Sequence, residues 1–407
     1  MSRPIPVATS AGKLHSARLS TVTACDFDTL KPHLAAWDHL AQEAPQRNPY
    51  LLPGWVDAAF RHALGRNERW FCSFAYIGDR LIGVMPTFVV PHPLLGRSYP
   101  ILRTFDKHAT SGEILLAPEH AGTALQALLC EARRQEPRHL GLDLKAVRPS
   151  SPFWSASRTG IDDYVTLCGL TSAYSFLNVE EDFDAYFSTS NLRNMRSKLR
   201  RHRRRLMSRG VVSVEMRKGP SADETLLTEF LALEGSGWKG RNGTAITSRT
   251  DRAAFYSAVT RNMAAQGYLE WHTIRLDGRL IAAEMGIRCG TSLFLPKIAY
   301  DEDFADCSPG SLLTEEVLKD AFSRPEIDEY NPMSDADWHR LWHLRRETYV
   351  NVHLVRRAAT PILFQLPRVA LRSGYETHVR PRIPAYARQV WRQLRRPLRR
   401  PQKAKGD

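Results

Sequence analysis

Leu30, Leu34, Trp37 and Leu40 recur at three- and four-residue intervals, which puts them on one face of a helix. A second short helix is expected to open at Pro53, whose fixed φ suits a first helical turn. The period then shortens. Trp70 to Val90 reads as a β-hairpin turning at Gly78-Asp79, followed by a helix near residues 119–135 and a strand near 139–147. Further on, a basic helix is expected over about 184–209. A second helix starts at Ser221, where Glu224 stands in the third position of a capping box. Phe255, Val259 and Met263 mark a helix ending at Gly267. Trp271 to Cys289 is another hairpin, turning at Asp277-Gly278. A strand near 291–299, a helix from about 310 and a short strand at 327–331 complete the pattern.

The two hairpins align. I-G-D-R-L-I-G (Ile77 to Gly83) lies over L-D-G-R-L-I-A (Leu276 to Ala282), and a helix pair precedes each while a helix and a strand follow. This reads as an internal duplication, and 407 residues suffice for two to three domains of about 150 residues. The expected class is α/β (α+β), with two lobes that are each a mixed, mostly antiparallel sheet flanked by helices. The expected boundaries are an extension at 1–27, lobes at 28–170 and 171–358, and a basic tail at 359–407.

Charge refines this picture. The chain carries +14, yet residues 193–209 hold nine bases and no acid, and residues 380–407 hold ten bases and one acid. Without these two segments the remainder is −4, so the basic character is local. The six cysteines are scattered with no C-x-x-C pair, which argues against a disulfide framework or zinc ribbon and fits a reducing cytoplasm. The N-terminus has no continuous apolar stretch, and the apolar run at 81–95 is broken by Pro86, Pro91 and Pro93, so neither a secretion signal nor a spanning helix is expected. H-R-L-W-H (His339 to His343) lacks the glutamate of a zinc-binding H-E-x-x-H, and no metal is expected.

Four stretches carry a family resemblance: N-L-R-N-M-R-S-K-L-R-R-H-R-R-R-L (Asn191 to Leu206), E-G-S-G-W-K-G-R-N-G-T-A (Glu234 to Ala245), the hairpin ending in Ala283-Glu284 followed by Y-D-E-D-F-A-D-C-S-P-G-S-L-L (Tyr300 to Leu313), and D-A-D-W-H-R-L-W (Asp335 to Trp342). Over Asp184 to Trp342 the chain resembles the CelD-like group of GNAT acetyltransferases, whose tandem arrangement is similar to that of the Fem-type peptidyltransferases. His339 stands where relatives carry a lysine, and the Q/R-x-x-G-x-G/A coenzyme A loop is absent. The resemblance implies acyl transfer from acetyl-CoA or another acyl-CoA, without metal, to a small-molecule or lipid-linked sugar acceptor, as in envelope or exopolysaccharide synthesis.

The Ser308-Pro309-Gly310-Ser311 turn, between strand and helix, brings backbone N–H groups, small hydroxyls and a helix dipole to one point, which suits a pyrophosphate. Ser308, Gly310 and Ser311 are therefore the expected cofactor-binding residues. Acyl transfer needs a base, an oxyanion donor and an acid. Glu234 is the first candidate base, expected on one helical face with Trp238, and Lys239 would face an anionic substrate. Glu284, which interrupts the apolar run I-A-A-E-M-G-I, is the second. Tyr300 and His339 are expected as acid or substrate-orienting groups.

Nine bases on one helix must spread around it, leaving some for a phosphate-bearing partner such as a nucleotide-linked or lipid-linked sugar or a tRNA backbone. In the tail, Tyr386, Val390, Trp391 and Leu394 share a face beside Arg388, Arg392, Arg395 and Arg396, the pattern of an interfacial helix on an anionic inner leaflet or of a solubilising extension. Two alternatives stand beside the cytoplasmic acyltransferase: a Fem-like aminoacyl transferase drawing on aminoacyl-tRNA, and a non-catalytic polysaccharide-assembly protein.

Overall fold

In the computed structural model, which describes residues 18–159, 161–180, 182–188, 192–375 and 382–383, the two periodicities resolve into two runs of elements that share one order apart from a short strand and a short helix added in the first. The first is β1 (Leu19–Ala24), α1 (Phe27–Leu30), α2 (Leu34–Glu43), α3 (Pro53–His62), β2 (Arg69–Ile77), β3 (Arg80–His92), β4 (Gly96–Arg103), β5 (Leu115–Leu116), α4 (Ala121–Gln135), β6 (Gly141–Val147), α5 (Pro152–Arg158) and β7 (Tyr164–Asn178). Two helices follow, α6 (Phe183–Ser188) and α7 (Arg193–Met207). The second run is β8 (Val212–Lys218), α8 (Thr225–Ser236), α9 (Trp238–Arg241), α10 (Thr250–Ala265), β9 (Leu269–Leu276), β10 (Arg279–Cys289), β11 (Ser292–Tyr300), α11 (Pro309–Phe322), β12 (Glu329–Asn331) and β13 (Arg345–Arg356), with α12 (Leu366–Gly374) beyond it.

The repeat extends to irregularities. Both hairpins turn where expected, through Gly78 at φ 59° and through Asp277 and Gly278 at φ 48° and 80°. The second strand of each bulges at its isoleucine, Ile82 and Ile281, the aligned position. In each lobe the fourth strand runs parallel to the one after the long helix, β4 to β6 and β11 to β12.

The α/β class with mixed sheets is as expected; what local patterning did not show is that the sheets join. The strand order is β1-β2-β3-β4-β6-β13-β7-β12-β11-β10-β9-β8, with β5 paired to β3. The lobes exchange their last strands: β13 lies between β6 and β7, and β7 pairs with β12. The boundary expected at 170/171 therefore falls inside β7, a strand that pairs on both sides of it. Two other expectations change. The basic helix over 184–209 is two helices, α6 ending at Ser188 and α7 beginning at Arg193. The capping box fails because the Ser221 hydroxyl closes its own turn, accepting from Lys218 N and donating to Lys218 O, while Asp223 accepts from Thr225 N at the start of α8.

One core spans both lobes, with Trp55 of α3 packed edge-on to Phe255 of α10 at 5.3 Å between ring centroids. A second core lies on the opposite face of the C-terminal half, where Leu199 and Leu206 of α7 join Leu312, Leu313 and Val317 of α11. At its rim Arg324 donates to both oxygens of buried Glu270 at 2.7 and 2.9 Å, and His272 lies 3.2 Å from the same carboxylate. Burial would push Glu270 up, but His272 and Arg324 outweigh it and hold the carboxyl down at about 2.

Candidate active site

Pairing of β11 with β12 stops at Phe294↔Asn331, so beyond it β11 has a free edge. Its other edge pairs with β10 through Met285↔Lys297, Glu284↔Ile298, Ala283↔Ala299 and Ala282↔Tyr300. Asp301 N donates to Ile281 O at 2.8 Å, which fixes the alternation: the N–H groups of Ile298 and Tyr300 point away from β10, toward the free edge. The register slips just before this stretch, where Pro296 has no N–H to give.

A cavity of ≈ 260 Å³ opens here, between the end of β11 and the start of α11. Ile298 and Tyr300 line it from the strand, Ser308, Gly310 and Ser311 from the turn, and Trp338 from the segment after β12. The structure therefore brings together the turn residues expected from sequence and Tyr300. Ser308 sits in the left-handed region at φ 48°, ψ 55°, with no side-chain cap bond of its own. Its carbonyl accepts from Ser311 N and Leu312 N, and Pro309 has no amide hydrogen. Among the described residues this leaves the Gly310 N–H unpaired at the positive end of α11, beside two serine hydroxyls. A Cβ on Gly310 would stand 3.4 Å from the Tyr300 ring. These donors fit the phosphates of an acyl-coenzyme A. The matching turn of the first lobe, Ala117-Pro118-Glu119-His120, carries a carboxylate in place of small residues, and that carboxylate pairs with Arg80.

Glu234 and Trp238 do not share a helix. Gly237 is extended at ψ −170°, ending α8 and starting α9. Glu234 is buried with both oxygens in use: Oε1 accepts from Lys239 Nζ at 3.1 Å, and Oε2 from Ile246 N at 2.7 Å. Lys239 also donates to Ile298 O at 2.8 Å, on the free edge of β11. The pair is thus an anchor that clips the 237–246 segment to the cavity strand, with the Lys239 ammonium turned to Glu234 and to Ile298 O. Trp238 is exposed, its backbone N held by Glu302 Oε1 at 2.6 Å.

Glu284 lies beneath the cavity, fully buried, with Oε2 unbonded among the described residues. Burial raises its carboxyl to about 8. His339 is buried behind Trp338, its ring edge-on at 4.2 Å, with Nδ1 accepting from Ala336 N at 3.3 Å. Burial lowers the imidazole to about 4 against the opposing charge of Asp335, which favours the neutral ring. His343 ends this 3₁₀ turn at φ 51°, so the two histidines share no helical face.

Sequence reasoning missed Lys297 and the Ile298 N–H. Lys297 is on the opposite strand face from Ile298, its ammonium 4.9 Å from the Tyr256 ring. Burial lowers it to about 8, with Glu234 opposing. The signal was present: a proline and a lysine interrupt the apolar strand S-L-F-L-P-K-I-A-Y.

Helix α7 turns part of its charge inward. Arg203 binds Glu315 and Glu316 of α11 at 2.6 and 2.5 Å, and Arg209, just past the end of the helix, binds Asp306 at 2.5 Å. Arg193, Arg200, Arg201 and Arg204 are exposed on the outer side and have no acidic partner among the described residues.

Residues 193–347 match the family described as acetyltransferase (GNAT) domain. No curated protein matches the chain in sequence. In fold it is similar to FemX (13% identity, 82% of this chain and 98% of that chain, TM-score 0.56). It is also similar to a conserved protein of unknown function from Bacteroides thetaiotaomicron (11%, 79% and 97%, TM-score 0.51) and to the C-terminal domain of a putative lysylphosphatidylglycerol synthetase from Agrobacterium fabrum (10%, 84% and 98%, TM-score 0.51). The matched residues hold the free strand edge, the cavity and the small-residue turn, so the likeness to an acetyltransferase (GNAT) domain falls on the part of the chain that builds the site.

Proposed function

We propose that the protein moves an acyl group, acetyl in the simplest case, from acyl-coenzyme A to an amine or hydroxyl of an envelope or exopolysaccharide precursor, as CelD-like enzymes do. The observation behind this reading is the meeting on one cavity of donors unpaired among the described residues: the outward N–H groups of Ile298 and Tyr300 on β11 and the Gly310 N–H at the start of α11. Ser308, Gly310 and Ser311 would hold the coenzyme's phosphates. The Ile298 N–H would donate to oxygen as charge develops there, and the Tyr300 phenol would give a proton to the leaving thiolate. Glu234 and Lys239 are positioning residues that hold the Ile298 peptide. Of the two carboxyls Glu284, in its ionised form toward pH 8, would take the acceptor's proton, since it keeps one oxygen unbonded among the described residues next to the cavity strand.

The basic tail, most of which lies outside the described residues, would hold the enzyme against an anionic membrane where a lipid-linked sugar is presented. The outward arginines of α7 favour a second reading, aminoacyl transfer from tRNA, whose backbone they would contact. Titration with acetyl-coenzyme A and with bulk tRNA at two salt concentrations separates the readings. Saturable, salt-tolerant binding of acetyl-coenzyme A supports the first. Binding of tRNA alone, weakening steeply with salt, supports the second. Binding of neither leaves the non-catalytic assembly protein.

A further inference from the structure

Helix α12 is amphipathic with its apolar side outward. Val369 and the preceding Gln365 are buried, whereas Leu363 is 68% exposed, Leu371 74% and Tyr375 47%. Pro367 and Ala370 are exposed with them, so positions 363, 367, 370, 371 and 375 form an uncharged outer stripe over three turns. Scattered surface leucines are ordinary, but a continuous stripe on a helix that already has a buried face is not.

A second element adds to it. The tip of the β3–β4 hairpin is Pro93-Leu94-Leu95, and Leu94 is 78% exposed. His92 fixes this tip by accepting from Leu94 N at 3.3 Å and Leu95 N at 3.2 Å. Leu140 N donates to Pro100 O at 2.8 Å and Arg356 N to Leu140 O at 3.1 Å, so the β3–β4 tip and the chain leading to α12 extend from the same end of the sheet; burial and the charge of Arg368 on α12 hold the His92 imidazole below its usual range. Arg97 is exposed at the tip and Arg368 is half-buried on α12, which gives the apolar stripe a cationic border. The chain leaves this surface toward residues 380–407, with ten bases and one acid.

We propose that α12 and the β3–β4 tip form a surface that lies on an anionic bilayer, with Leu94, Leu363, Leu371 and Tyr375 at the boundary between headgroups and acyl chains. This rests on the membrane part of the proposed function and assigns its docking face. Charge selects the occupant: a second copy would bring two strongly basic tails together, while anionic lipid complements tail and border alike. A few aliphatic side chains bind a bilayer only marginally alone, and a basic segment supplies the second signal that makes the contact stable. Among the described residues no helix is long and apolar enough to cross a membrane, in keeping with a surface contact.

The test is co-sedimentation of the full chain with vesicles of palmitoyl-oleoyl phosphatidylglycerol, against phosphatidylcholine vesicles, at 0.1 and 0.5 M salt, with circular dichroism checking each variant's fold. Leu363→Ser with Leu371→Ser, and Leu94→Ser separately, should each lower the salt-resistant part of binding, the double variant by about tenfold or more. A chain ending at residue 379 should lose the salt-sensitive part and keep the rest. If truncation abolishes all binding while the leucine variants match the parent, the tail is the anchor and this surface is overturned. A parent dimer that Leu363→Ser with Leu371→Ser dissolves also overturns it, since a second copy would then cover the stripe.

Discussion

Replacing Glu284 by glutamine tests the physics of the cavity strand and its chemistry in one variant. The carboxyl is fully buried and sits at about 8, against 4.5 in an unfolded chain, because burial disfavours the anion. Between these values the native state keeps a proton that the unfolded state has lost, so stability must fall as pH rises. At about 1.4 kcal/mol per pH unit, this one group costs the parent about 3 kcal/mol by pH 7 and about 4 kcal/mol between pH 5 and pH 8. Glutamine keeps the shape and does not titrate, but its amide adds a buried donor costing about 1–3 kcal/mol at every pH. The variant should be the less stable protein at pH 5 and should equal or exceed the parent at pH 8. Urea unfolding followed by tryptophan fluorescence at pH 5, 6, 7 and 8 reads this out. Parallel stability profiles for the two proteins would refute it, since Glu284 would then have an ordinary carboxyl. If the group also takes the acceptor's proton, turnover falls in the variant while acyl-coenzyme A affinity stays.

Gly310→Ala should fold and bind acyl-coenzyme A, since its Cβ meets Tyr300 at an ordinary 3.4 Å, whereas Gly310→Val should crowd the ring and lose binding by calorimetry; equal affinities refute the turn as the phosphate site. Glu234→Gln should speed proteolysis within residues 237–248 and lower turnover without weakening acyl-coenzyme A binding, because it loosens the Lys239 contact to Ile298; unchanged cleavage and turnover refute the anchoring role. Arg324→Met should destabilise by about 3–5 kcal/mol at pH 7 by stranding a buried carboxylate. That deficit should shrink as pH falls from 4.5 toward 2, where the parent loses the benefit of Glu270's lowered pKa; a deficit independent of pH in thermal unfolding refutes the assignment.

Local sequence determined the local elements, because period and turn chemistry act over a few residues. Gly78-Asp79 and Asp277-Gly278 turn both hairpins, and the small residues of Ser308 to Ser311 begin α11. The duplication was legible as seven aligned residues, and the structure repeats it down to the bulges at Ile82 and Ile281. Tertiary structure alone decided the strand exchange. Val350 pairs with Val147 across some two hundred residues, and nothing near Y-V-N-V-H-L-V says which strand it will meet. The same holds for the site. Glu234 and Trp238 are four apart, yet an extended Gly237 separates them, and Glu234 goes to Lys239 and Ile246. The Ile298 N–H is identical in sequence to any other amide; it becomes a donor only because β12 ends at Asn331 and leaves the strand edge open. Glu284 stands out in sequence as an acid in an apolar strand, but its burial, and with it its proton, depends on α11 closing over that face of the sheet, a contact between elements that no local pattern encodes.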